Sequence, residues 1–164
     1  MTTWFTSDTH FSHANIIEFC GRPFANVEEM DREMVARWNA RVQPGDTVYH
    51  LGDFAFGPFE NIGKFRGLLN GEIVLVRGNH DRSEKRMREA GFASVTSASV
   101  VWIQGSALFL SHKPAVDLPT ETIDFHFHGH VHERYKRRGN QINVGVDVRG
   151  FAPATLEELL ATPE

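Results

Sequence analysis

Metal-binding side chains recur in this sequence just after short apolar runs. The segments are Asp8-Thr9-His10, Gly52-Asp53, Gly78-Asn79-His80-Asp81, Ser111-His112 and Gly129-His130-Val131-His132. They combine carboxylate, imidazole and amide groups without a thiolate, a set that suits Mn²⁺, Fe, Zn²⁺, Ni²⁺ or Co²⁺. A closed zinc site needs only four ligands, whereas seven are available here: Asp8, His10, Asp53, Asn79, His112, His130 and His132. This surplus favours two neighbouring ions bridged by a carboxylate.

The elements that position these side chains follow from hydrophobic periodicity and from capping and turn residues. The patterns predict strands over Thr3–Thr6, Asp46–Leu51, Glu72–Val76, Val95–Ile103, Ala107–Leu110, Asp124–Phe127 and Ile142–Val148. They predict helices over Asn26–Val42, Phe59–Leu69, Arg82–Ala90 and Thr155–Leu160. Because sites in α/β sheets assemble at the carboxyl ends of strands, we expect the seven side chains to converge there. Glycines at 52, 78 and 129 permit the close backbone approach that such a cluster requires.

The composition indicates one globular domain, and we assign residues 1–164 to it. Hydrophobic residues make up 41% of the 164, the net charge is −4 and the pI is about 6.1, which argues against a general nucleic-acid coat. The single cysteine, Cys20, cannot form an internal disulfide and favours a reducing, cytoplasmic setting. No signal peptide and no apolar run of about 20 residues is apparent, so we expect no membrane partner.

The five segments, in this order, resemble the motifs of the calcineurin-like metallophosphoesterase superfamily. The stretches DTHFSHANII and YHLGDF are similar to those of small bacterial and phage phosphoesterases. The matching motifs run from Asp8 to His132, about three quarters of the chain. The family often has glycine before the histidine of the fourth motif, where this chain has Ser111, and this difference bears on His112.

The resemblance implies an α/β (α+β) fold, a four-layer α/β/β/α sandwich of two mixed sheets flanked by helices. It also implies two divalent ions, with Mn²⁺ preferred, in two ligand sets joined by Asp53. The first set is Asp8, His10 and His132, and the second is Asn79, His112 and His130. The activity expected is phosphoester hydrolysis by in-line attack of a metal-bridging hydroxide on a small phosphorylated substrate.

His80 follows Asn79 directly, so we expect it to reach the open face of the site as general acid. Asp81 could orient its imidazole or instead cap the following helix. Two further residues are candidates for substrate binding. Arg22 could clamp a phosphate or be a solvated surface arginine, and His13 lies in the loop after the first motif.

Several questions stay open at this level. Phosphodiesterase activity is slightly favoured over phosphatase activity, because no appended substrate-binding domain is visible. A nuclease or RNA-end processing enzyme is an alternative, since basic residues cluster at 134 and 136–138. A scaffold protein that kept the fold and lost its chemistry is another, although the complete ligand set counts against it.

His50, His126 and His128 lie in predicted strands and could pack in the core or support a ligand. The sequence leaves the oligomeric state undetermined.

Overall fold

The computed structural model describes residues 1–164 and contains two five-stranded sheets and five α-helices. The helices are α1 (Asn15–Cys20), α2 (Val27–Arg41), α3 (Phe59–Leu68), α4 (Glu84–Glu89) and α5 (Leu156–Leu160). The strands are β1 (Thr3–Thr6), β2 (Thr47–His50), β3 (Glu72–Val76), β4 (Ser94–Thr96), β5 (Ala98–Ile103), β6 (Ser106–Ser111), β7 (Phe125–His128), β8 (Arg137–Arg138), β9 (Gln141–Asn143) and β10 (Ala154–Thr155).

Both sheets are mixed, as expected. The first has the order β10-β1-β2-β3-β4, in which β1 to β4 are parallel and β10 is antiparallel. The second has the order β5-β6-β7-β9-β8, in which β6, β7 and β9 are parallel. Parallel pairing brings the carboxyl ends of β1, β2 and β3 together at one edge, and those of β6 and β7 at another. The predicted sandwich of two mixed sheets with flanking helices is confirmed.

Two hydrophobic cores hold the layers together. They lie on opposite faces of the first sheet, because successive side chains along a strand point to opposite faces. On β1, Trp4 belongs to the first core and Phe5 to the second. The first core packs the first sheet against α1 to α4 through buried residues such as Ile16, Met30, Met34, Trp38, Ile62, Phe65 and Met87. The second core lies between the sheets, where Phe5 meets Phe127 edge-on at a ring-centroid distance of 5.0 Å. Helix α5 contributes two leucines to this second core.

Local capping explains where two of the predicted helices begin. Asn26 Oδ1 accepts a hydrogen bond from Glu29 N at 2.8 Å and thereby caps α2. Thr155 and Glu158 form the predicted capping box at the start of α5. Both contacts satisfy backbone N–H groups that a first helical turn leaves free. None of the helices combines the length and the apolar character needed to cross a membrane.

Two predicted strands differ in the structure, and one helix was not predicted. The strand expected over 95–103 is interrupted at Ser97, so that β4 pairs in the first sheet and β5 in the second. The strand expected over 142–148 ends at Asn143, and Val146–Val148 form a 3₁₀ turn. The Asn143 side chain accepts from Gly145 N at 2.8 Å, which turns the backbone away from the sheet. The short helix α1 was not predicted, because only Ile16 of its six residues is buried and the apolar period is weak.

Candidate metal centre

The seven candidate ligands lie in loops just beyond strand ends of both sheets. Asp8, Asp53 and Asn79 follow β1, β2 and β3 by two or three residues. His112 follows β6 directly, and His130 lies two residues after β7. The parallel strands therefore bring residues far apart in sequence into one cluster, as the sequence predicted.

The backbone at five of the candidate ligands adopts the left-handed conformation. The φ angles are 58° at Asp8, 49° at His10, 57° at Asp53, 68° at His130 and 48° at His132. Aspartate and histidine enter this region more often than most residues, but each such position costs on the order of 1–3 kcal/mol. Non-glycine residues are held there only where surrounding contacts fix them, and such strain concentrates at functional sites.

The first candidate ligand set consists of Asp8, His10 and His132, whose ligand atoms all lie within 4.8 Å of one another. Asp8 Oδ1 is 3.9 Å from His10 Nε2 and 3.8 Å from His132 Nε2. Both Asp8 Oδ1 and His10 Nε2 are buried without a hydrogen-bond partner. A buried carboxylate oxygen without a partner is strongly unfavourable, and a divalent cation at this point would satisfy both atoms.

The second candidate set consists of Asn79, His112 and His130, together with Asp53. His112 Nε2 lies 3.0 Å from Asn79 Oδ1, 3.2 Å from Asp53 Oδ2 and 3.2 Å from His130 Nδ1. Asp53 Oδ2 is also 3.5 Å from His10 Nε2 of the first set. One carboxylate oxygen therefore faces both sets, as a bridging ligand must.

Hydrogen bonds on the opposite ring nitrogens orient three of the histidines. His112 Nδ1–H donates to Leu51 O at 2.7 Å, and His132 Nδ1–H donates to Asp147 Oδ2 at 2.9 Å. His10 Nδ1 is 3.2 Å from His13 Nδ1. Because these contacts occupy Nδ1, each ring presents Nε2 to the centre, the arrangement typical of metal-binding histidines.

The pKa values of the cluster reflect its density of opposite charges. Burial alone would raise the pKa of the Asp8 carboxyl, but the contact with His10 and the charges of His112 and His132 hold it well below its usual range. Burial alone would lower the pKa of His132, but the hydrogen bond to Asp147 and neighbouring groups raise it to about 10. A cation that binds His132 at Nε2 must therefore displace a proton from that ring.

Arg22 is buried, so the alternative that it is a solvated surface arginine is wrong. Its side chain is 4% exposed, and its guanidinium pairs in a bidentate manner with Asp147 at 2.8 and 3.0 Å. It also donates to the carbonyls of Asp8 and Thr9 at 2.7 and 3.0 Å. Arg22 therefore fixes the first loop and Asp147, which in turn orients His132. Asp147 was not among the predicted site residues, although its place as a single acidic residue in the apolar run VGVDV was a signal.

Asp81 serves the backbone of the site rather than the ring of His80. Its Oδ2 accepts from Asp53 N at 2.8 Å and Gly78 N at 2.7 Å, and its Oδ1 accepts from Phe54 N at 3.0 Å. The expectation that Asp81 orients the imidazole or caps the next helix is therefore wrong, since Ser83 caps α4. Asp81 instead clamps the second and third motif loops together.

His80 and His13 lie at the rim of the cluster. His80 is exposed, its ring centroid is 5.7 Å from that of His10, and its backbone N donates to Asp53 Oδ1 at 2.9 Å. His13 contacts His10 and stacks on Phe56 at a centroid distance of 4.2 Å. Burial and the neighbouring histidines lower the pKa of His13 to about 4, so it supports the His10 ring as a neutral group.

The remaining strand histidines are fully buried and do not join the ligand sets. His50 Nε2 contacts Thr9 Oγ1 at 2.9 Å, within the first motif loop. His128 Nδ1–H donates to Gly129 O at 2.9 Å, and His126 Nε2 contacts Ser111 Oγ at 2.7 Å. These contacts join His50, His126 and His128 to motif segments, and burial lowers the pKa of all three.

Comparison with known proteins identifies relatives over most of the chain. The profile of the calcineurin-like phosphoesterase superfamily domain matches residues 1–148. An uncharacterised protein of Methanocaldococcus jannaschii is 36% identical over 160 residues, which cover 92% of this chain and 85% of the relative. A solved structure of a protein of unknown function from Aquifex aeolicus has a TM-score of 0.77 and 28% identity over 96% of both chains.

A second solved structure, described as a novel archaeal phosphodiesterase, has a TM-score of 0.57. It is 22% identical and covers 88% of this chain and 84% of its own. At this identity the likeness shows the fold alone.

The missing side chain of Gly78 makes room for the carboxylate of Asp53, so Gly78→Ala should weaken metal binding at both sets. A Cβ at this position would lie 2.2 Å from Asp53 Oδ1 and 2.6 Å from Asp53 N. We expect at least a tenfold loss of Mn²⁺ affinity at both sets, since the clash displaces Asp53. Gly63→Ala is the matched control, because a Cβ on this exposed residue of α3 meets nothing within 4 Å. Metal analysis after dialysis that finds both variants equally loaded would contradict the bridging position.

The hydrogen bond that His132 donates to Asp147 should affect metal binding at the first set alone. Asp147→Asn weakens the acceptor that fixes the His132 ring, and we expect a loss of about 10–100-fold in Mn²⁺ affinity at that set. The second set should keep its affinity, so a Mn²⁺ titration followed by electron paramagnetic resonance should show one weakened site of two. Asp117→Asn, at an exposed loop carboxylate, is the control. Equal weakening of both sites would refute the separate role of Asp147.

Proposed function

Since the chain belongs to the calcineurin-like phosphoesterase superfamily, we propose that it hydrolyses a phosphodiester at a centre of two divalent ions. Membership supports metal-dependent phosphoester hydrolysis in general, and the two clusters of histidine and aspartate can hold metal. Beyond this general activity, we propose which residues bind the two ions, which residue is the general acid, and that diesters are preferred over monoesters.

The observation that carries the proposal is the position of Asp53. Its Oδ2 lies 3.5 Å from His10 Nε2 and 3.2 Å from His112 Nε2, so the same atom faces both ligand sets. Asp8 Oδ1 and His10 Nε2 are buried without a hydrogen-bond partner. A cation in the first set would interact favourably with both atoms. A purely structural histidine–aspartate network would satisfy these atoms internally.

Asp8, His10, Asp53 and His132 would hold one ion, and Asp53 with Asn79, His112 and His130 the other. The mixed oxygen and nitrogen ligands fit Mn²⁺ best, with Fe, Zn²⁺, Ni²⁺ and Co²⁺ as other fits. When bound, the ions would supply Lewis-acid charge to the phosphoryl oxygens and lower the pKa of water for in-line attack.

His80 is our candidate general acid for the leaving group. Its backbone N–H is fixed on Asp53 Oδ1, while its imidazole is exposed beside His10. The ring can therefore approach a substrate oxygen without serving as a ligand. A positioned acid of this kind contributes about 10²–10⁴-fold to the rate.

Two separate cavities beside the centre favour a diester over a monoester. One, of about 430 Å³, is lined by Phe56, Gly57, His80, Asp81 and Arg82. The other, of about 450 Å³, includes Asn79 and His112 in its lining. A phosphodiester carries two organic groups, and the two cavities can receive one each. The complete ligand set favours an enzyme over a scaffold protein of the same fold.

The first test is hydrolysis of p-nitrophenyl phosphate and bis-p-nitrophenyl phosphate in parallel, with added Mn²⁺ and with Asn79→Ala as control. We expect turnover of the bis compound and at least a hundredfold loss in Asn79→Ala, because the second set loses its amide ligand. Turnover of the mono compound alone would make the protein a phosphatase. No turnover of either, with no bound metal by elemental analysis, would refute an enzymatic role.

The role of His80 predicts an effect that depends on the leaving group. In His80→Asn, an alkyl phosphodiester should lose about 10²–10⁴-fold in kcat, because the leaving alkoxide needs a proton. The p-nitrophenyl ester should lose far less, since p-nitrophenolate leaves unprotonated. Metal content, measured on the same samples, should equal that of the wild type. Equal losses on both esters would show that His80 is not the acid.

A further inference from the structure

A cavity of about 450 Å³ adjoins the second candidate ligand set and has a positively charged lining. Six of the residues that line it are Arg77, Asn79, Ser97, Ser111, His112 and Lys113. Two of these are candidate metal ligands and two are permanent cations. The cavity therefore opens directly onto the place where a phosphoryl group would bind.

This cavity differs from the other four in having no carboxylate in its lining. The others each include at least one, among them Glu28, Glu18, Asp81 and Glu84. The chain as a whole carries a net charge of −4, so the positive cavity is not a consequence of composition. Cations that converge without a counter-ion in a concave site attract anions.

Neither cation of the cavity is neutralised by the protein. Lys113 is exposed, follows His112 directly and makes no salt bridge, and Arg77 makes none either. Arg77 Nη1 donates to Arg82 O at 3.1 Å, which anchors the guanidinium, while its Nε is buried without a partner. A buried donor without a partner is uncommon in folded proteins, and the Arg77 guanidinium has no carboxylate beside it in the lining of the cavity.

We propose that Arg77 and Lys113 form an anion subsite for a second phosphate group on the substrate. The inference rests on the proposed function. His80, the candidate acid, lines the other cavity together with Phe56 and Arg82, so the leaving group lies on that side. The group that enters the cationic cavity is then the one the phosphate retains. The substrate class is a phosphodiester whose retained organic group carries a further phosphate.

Two matched substrates test this subsite: the p-nitrophenyl ester of thymidine 5′-phosphate, with and without a 3′-phosphate. They share the leaving group and differ only in the retained group. We expect kcat/KM to be about tenfold or more higher for the 3′-phosphorylated ester, because charge-assisted contacts are worth this much. Added salt should reduce this preference, since it screens exposed charges.

The preference should depend on the two cations. Lys113→Met and Arg77→Met should each move the ratio of the two kcat/KM values toward one, and Arg77→Lys should keep part of it. Lys85→Met removes the same charge from exposed α4, outside this cavity, and should leave the ratio unchanged. A wild-type ratio of one, or a ratio that the Arg77 and Lys113 variants leave unchanged, would overturn the subsite.

Failure of the subsite and failure of the proposed function give different results. Turnover of both esters without preference removes the subsite and leaves a phosphodiesterase. If Mn²⁺-loaded protein hydrolyses neither ester, the proposed function fails. In that case, equilibrium dialysis with thymidine 3′,5′-bisphosphate tests the anion subsite independently of catalysis. Binding that Lys113→Met weakens would support it, and absence of binding would overturn it.

Discussion

The position of the Asp53 carboxylate decides the geometry of the whole centre. One of its oxygens faces imidazoles of both ligand sets, and the other accepts the backbone N–H of His80. Its backbone N–H donates to the buried carboxylate of Asp81, and the missing side chain of Gly78 leaves it space. A shift of this group would move both sets together, so several independent contacts hold it.

This cluster is costly to build, and the surrounding fold offsets the cost. Five candidate ligands occupy left-handed backbone, and carboxylates and imidazoles are buried side by side. The bidentate pair between Arg22 and Asp147 ties the first loop to the 3₁₀ turn, and two hydrophobic cores fix the strand ends beneath. The binding free energy of cations adds a term that only the folded state gains.

Residues 77 to 80 are consecutive in one loop, and each has a different position in the site. Arg77 lines the cationic cavity, Gly78 leaves room for Asp53, Asn79 faces the second set, and His80 lines the second cavity. The loop thereby places Arg77 at one cavity and His80 at the other. Asp81 closes the bend by accepting the N–H of Gly78. Under the proposed function, this short segment would set both the orientation of a substrate and the side on which its leaving group is protonated.

The sequence by itself determined the candidate ligands, their places after predicted strands, the family resemblance and most element boundaries to within two residues. These features depend on local periodicity and residue chemistry. It could not decide that Ser97 divides one β-rich run between two sheets, since both halves have the same pattern and only long-range pairing separates them. Nor could it decide the roles of Arg22, Asp81 and Asp147. Apart from Gly78, which is three residues from Asp81, their partners lie 13 to 125 residues away. These contacts exist only once the strands have brought the loops together.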